Sequence, residues 1–169
     1  IGLCLSDSDQ GKVVQLVDQG ICRGALLEAL QGVQMIYTYN GTRFDLPFIT
    51  LSLRLDLSRH YEHRDLMFDC WKKGLYGGFK AVEAAFGIAR ELKGINGAEA
   101  VELWRKYNRD GDSESLAILL QYNQEDVLNL KLLKEKLYPR HSEPAFLWPT
   151  AFFGVKKPPF RRKAAGLSE

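Results

Sequence analysis

The chain has 169 residues, 23 Lys plus Arg against 21 Asp plus Glu, and 46% hydrophobic residues, a composition that supports one globular domain with a core of its own. A net charge of +2 excludes binding to polyanions through bulk charge, so any basic face is local. No apolar run approaches the ~20 residues of a membrane-spanning helix and no signal-peptide pattern opens the chain, which predicts a soluble, cytoplasmic protein with no membrane partner. Cys4, Cys22 and Cys70 are odd in number and lack C-x-x-C spacing, which predicts reduced thiols.

In chain order, Ile1 to Leu5 and Lys12 to Val17 are β-rich runs joined through Asp7 to Gly11, an opening hairpin. Gly24 to Leu30 is a short helical segment, and Val33 to Tyr39 is a strand closed by Asn40-Gly41. From Arg43 to about Leu55 the residues Phe44, Phe48, Leu51 and Leu55 recur at helical spacing, with Pro47 confined to the first turn. Helices are predicted from Asp65 to Lys73, Phe79 to Phe86, Ala98 to Tyr107 and Ser113 to about Leu137, the last capped by Ser113 or Asp112. Beyond Pro139 periodicity fails, and Pro144, Pro149, Pro158 and Pro159 share the tail with Phe146, Trp148, Phe152, Phe153 and Phe160. Strands first and helices later predict an α/β fold, a mixed sheet covered by helices over residues 1–138, followed by an extended arm over 139–169.

Two segments can carry chemistry. Asp45 falls in the first turn of a helix that follows a strand, so the helix dipole favours its carboxylate at the strand end where open α/β sheets place their sites. A plain capping aspartate satisfies the same pattern. Tyr122 and Asp126 are four residues apart and share one helix face. Asp126 borders the apolar stripe, where a carboxylate is costly unless a cation meets it, and a metal ion is the economical partner. A rim aspartate beside a core tyrosine is the bland alternative.

Together these segments resemble the ribonuclease-H-like DnaQ or DEDD exonuclease superfamily, in its tyrosine-bearing subtype. Tyr39-Asn40 with Phe44-Asp45-Leu46-Pro47 is similar to the second exonuclease motif of B-family polymerase proofreading domains, and Tyr122 with Asp126 to the third. The run from Gly77-Gly78-Phe79-Lys80 through Phe86-Gly87-Ile88-Ala89-Arg90 to Leu103-Trp104 resembles the stand-alone YprB-type predicted exonucleases. The resemblance implies two Mg²⁺ or Mn²⁺ ions held by carboxylates, Asp45 and Asp126 among them, with Tyr122 orienting the attacking water. It also implies single-stranded DNA or RNA 3′ ends as substrate, with Asn40, Phe44 and Lys80 contacting the nucleic acid.

The family's first motif, a D-x-E on the central strand, has no clear counterpart. Asp7-Ser8-Asp9 is the apparent substitute, but Ile1-Gly2-Leu3 resembles the family's second strand with Asp7 to Gly11 as its turn. The expectation is a chain that begins after the first motif, lacks the central strand and is inactive by itself. The open strand edges would invite homodimerisation. The rival reading is a non-catalytic nucleic-acid-binding module on the same fold.

Three further features have plain alternatives. His60 and His63 with Asp65 and Asp69 suggest a metal site less than a solvated helix entrance, and Asp65 matches a supporting aspartate of the family. Gly77-Gly78 before Lys80 is a phosphate contact or an ordinary turn. The tail from Tyr138 holds six of the 23 basic residues and two acidic ones, so it either tracks phosphates or packs its aromatics on the domain.

Overall fold

A computed structural model describes residues 1–6, 11–92, 94–139 and 149–154 of the chain. The hairpin forms as expected from β1 (Gly2–Ser6) and β2 (Lys12–Gln15), antiparallel with Gly2 opposite Gln15 and Leu5 opposite Lys12. Helix α1 (Arg23–Ala29) leads to β3 (Met35–Thr38), and α2 (Asp45–Leu53) follows the Asn40–Phe44 turn. Next come β4 (Glu62–Asp65), α3 (Leu66–Lys72), α4 (Phe79–Ala85), α5 (Gly97–Asp110), α6 (Ser113–Leu137) and β5 (Thr150–Gly154).

The sheet order is β2-β1-β5-β3-β4. Strand β5 lies at its centre, antiparallel to β1 with Cys4 opposite Phe152, and parallel to β3 with Tyr37 opposite the same Phe152. This corrects the expectation of a missing central strand, because the described part of the tail supplies one. The edges of β1 and β3 that were expected to stand open are both paired with β5, so they offer no route to a dimer. Residues 7–10, with Asp7 and Asp9, and the basic parts of the tail lie outside the described residues.

Successive strand side chains point to opposite faces, and both faces are covered. Leu3, Ile36, Ala151 and Phe153 pack one face against Leu26, Leu30 and Ile49 of the α1 and α2 side. Cys4, Tyr37 and Phe152 pack the other against Leu66, Cys70, Val82, Val127 and Leu130 from α3, α4 and α6. The Tyr37 and Phe152 rings stack at 5.3 Å. Burial of both faces explains why β1, β3 and β5 read as continuous apolar runs.

Helix α6 runs for 25 residues because Asp112 caps it, accepting from the N–H groups of Glu114 and Ser115. Its first half carries α5, with Ala100, Leu119 and Tyr122 buried between them. Close approach of α6 to β1 requires Gly2, since a Cβ there would stand 2.0 Å from Asn123 Oδ1.

Candidate active site

The turn from β3 into α2 is built by Asp65. Its carboxylate accepts from Asn40 N at 2.7 Å, Thr42 N at 3.0 Å and Met67 N at 3.2 Å, so one side chain pins the turn and caps α3. Asn40 adopts a left-handed φ of 61°, and Gly41 leaves room for Thr38, whose Cβ would be 2.4 Å from a Cβ at 41. Asp65 is therefore the supporting aspartate that the sequence suggested. Asp45 emerges from this turn as the first residue of α2 and is 8% exposed. The helix dipole favours its charge.

Asp126 lies on α6, four residues after Tyr122, and borders the central strand's C-terminal end at Phe153 and Gly154. Asp45 and Asp126 line one cavity of about 170 Å³ with Tyr39, Phe79 and Gly154. Asp45 and Tyr122 also line a neighbouring cavity of about 400 Å³ with Phe44, Phe48, Trp104 and Asn123. The three residues taken from the motifs thus converge. Phe44 stands 48% exposed at the rim of the larger cavity. The Oδ1 atom of Asn40 is buried with no hydrogen-bond partner among the described residues.

The cation at Asp126 is a protein side chain. Arg90 donates from Nη2 to Asp126 Oδ1 at 2.7 Å, and to Glu83 from Nε at 2.7 Å and Nη2 at 2.9 Å. Asn129 also donates to Glu83 at 2.8 Å, and Glu125 accepts from the N–H groups of Glu91 and Leu92. Burial opposes the Arg90 charge, but its hydrogen bond to Glu83 and the Asp126 carboxylate outweigh that and hold its pKa above the ordinary arginine range. Arg90 and Glu83 occur in the stretch that carried the resemblance, yet the pairing of Arg90 with Asp126 spans 36 residues and has no local signal.

Tyr122 sits between two cations, with Lys80 Nζ 4.8 Å and Arg90 Cζ 5.5 Å from its ring centroid. Burial, together with the Asp126 carboxylate, pushes its phenol up to about 12, so the hydroxyl keeps its proton near neutrality. Lys80 donates to the Ile95 carbonyl, so it borders the site as a loop clasp as well as a cation. His63 lies on β4 rather than at a helix entrance, hydrogen-bonded at 2.9 Å to Thr38 Oγ1, and His60 precedes the strand. Among the described residues no three His, Cys, Asp or Glu side chains are grouped to hold a metal ion.

No curated protein and no solved structure matches the chain. The family model of the RNase H superfamily matches residues 1–138, and the five-stranded mixed sheet flanked by helices has the form that this match requires. The chain belongs to the RNase H superfamily.

Proposed function

We propose that this chain is the ribonuclease-H-like domain of a 3′-to-5′ exonuclease of the tyrosine-bearing DEDD type. In this reading it engages single-stranded DNA or RNA at 3′ ends and, with the residues it carries, binds such ends without cleaving them. Membership of a superfamily of nucleases supports nucleic acid as the ligand and hydrolysis as the reaction class. The observation that carries the reading is the shared cavity, where Asp45 and Asp126 meet beside Tyr122 and the facing central-strand residue is Gly154.

Ribonuclease-H-like nucleases generally use divalent ions, and two-ion hydrolysis needs enough carboxylates to fix both ions in line. The described residues do not fit such a centre. Two carboxylates line the cavity, and one already holds a guanidinium at 2.7 Å. What the chain's own residues supply is binding. The apolar walls of the larger cavity, with Phe44, Phe48 and Trp104, accept a base and sugar, while the Tyr122 hydroxyl orients them. Lys80 adds charge for a phosphate at the rim.

A second reading, which the Arg90 clamp on Asp126 fits equally, is a non-catalytic binding module with no preference for strand ends. One experiment separates them. Fluorescence anisotropy with labelled single strands, linear and circular, is run beside a cleavage assay in Mn²⁺ with an Asp126→Ala control. The exonuclease-domain reading expects salt-dependent binding that is tighter to the linear strand, without product. Equal affinity for circles leaves only the module. Mononucleotide release abolished by Asp126→Ala would overturn the inactivity, and absence of binding would overturn both readings.

A further inference from the structure

Outside the cavity, the α3 to α4 segment presents aromatic rings and cations on one surface. The Arg43 guanidinium lies 5.7 Å from the Trp71 ring centroid and 6.0 Å from that of Phe68. Phe68 meets Trp71 edge-on at 5.5 Å, and Trp71 faces Tyr76 at 6.5 Å with a tilt of 35°. Tyr76 is 72% exposed. Arg43, Lys72 and Lys73 are exposed, and Lys80 is exposed on α4, where its Nζ lies 4.8 Å from the Tyr122 ring.

No exposed carboxylate balances those cations within the segment. Its acids, Asp65, Asp69 and Glu83, are all buried. Asp65 is spent on the Asn40 and Thr42 amides, and Asp69 accepts from Arg64 at 2.8 Å and Lys72 at 3.4 Å. Lys72 is thus offset by Asp69, and the charge this segment turns to solvent comes from Arg43 and Lys73, in a chain whose net charge is only +2.

The surface is continuous with the candidate site. Arg43 is two residues from Asp45. Gly77, next to Tyr76, accepts from the Tyr39 hydroxyl at 2.8 Å, and Tyr39 lies against Phe79 at 5.1 Å. Tyr39 and Phe79 both line the Asp45 and Asp126 cavity. A strand with its end in the cavity would pass Tyr39 and Phe79, then Tyr76, then Trp71 and Arg43.

We infer that Tyr76, Trp71 and Arg43 form a stacking platform for the body of a single-stranded nucleic acid whose end occupies the Asp45 and Asp126 cavity. The inference rests on the function proposed above and adds the path of the strand. Ring faces accept any base, and the flanking lysines and Arg43 meet the phosphates, so the platform reads length and single-strandedness rather than sequence. A duplex keeps its bases stacked on each other and gains only the charge term.

The test is anisotropy with labelled oligothymidylates of two lengths, one filling only the cavity and one long enough to reach the platform. Tyr76→Ala is the leading variant, because a side chain so exposed is removed without a core defect; Tyr76→Phe and Trp71→Phe keep the ring. The expected result is a loss of about 5- to 100-fold in affinity for the long strand on Tyr76→Ala, little change for the short one, and retention by the two Phe variants. Arg43→Ala should lower the salt slope by about one. If the unmodified chain binds the long strand and Tyr76→Ala binds it equally, the platform is wrong and the proposed function stands. If the unmodified chain binds neither length, the proposed function fails and the platform with it.

Discussion

Arg90 answers at the level of one side chain a question that Asp126 poses. A carboxylate at the edge of the apolar stripe needs a partner, and the guanidinium serves two carboxylates from different elements, Asp126 on α6 and the fully buried Glu83 on α4. Removing one member of such a cluster strands the others without compensation. Arg90→Met is expected to destabilise the chain by about 3 to 5 kcal/mol, measured by urea unfolding, and Glu83→Gln added to it should recover part of the loss. An Arg90→Met variant as stable as the original would mean that the cluster's charges are solvated. Position 154 offers the converse test. A Cβ there would lie 3.6 Å from Val127 Cγ1 and 3.8 Å from Asn123 Nδ2, ordinary contacts, so a side chain fits beside the two carboxylates. Gly154→Asp is expected to give Mn²⁺ binding, read by calorimetry, well above that of the unmodified chain; unchanged binding would show that the position does not face the ions' place. That Asp45, Tyr122 and Asp126 line adjoining cavities was legible because strand-turn-helix order and i,i+4 spacing are local. The Arg90 partnership was not, because it depends on how the segment before α5 folds back across α6.

At the level of elements, the helices were the readable part. Helix α6 spans Ser113–Leu137, the range its capping residue and apolar repeat imply. Two strands escaped notice for opposite reasons. Strand β4, Glu-His-Arg-Asp, has no apolar alternation, and it forms because β3 offers a parallel edge with Met35 opposite Glu62 and Thr38 opposite Asp65. Its polar side chains find specific work, since His63 bonds Thr38, Arg64 bonds Asp69 and Asp65 holds the turn. Strand β5 is apolar enough, but it stands among prolines that read as an arm. Its pattern becomes intelligible only once both neighbours are known. Ala151, Phe152 and Phe153 are all buried because the centre of a sheet covered on both sides demands it.

For the molecule as a whole, β5 joins the two halves of the sheet. Without it, β1 with β2 and β3 with β4 are two separate ribbons, each with an exposed edge and an uncovered share of both apolar clusters. A chain ended at Pro139 is therefore expected to lose cooperative thermal unfolding by circular dichroism and to aggregate in gel filtration. A monomer with a sharp transition would mean that β1 and β3 can pair directly. The arrangement also imposes an order in time. A ribosome releases the chain from its N-terminus, so β1 and β3 emerge long before the segment that belongs between them. At about 5 to 20 residues per second, the hairpin and β3 wait on the order of ten seconds for their partner. Throughout that interval the nascent protein presents two unpaired strand edges flanked by apolar surface, so synthesis of residues 39–150 is the period in which aggregation competes most with folding.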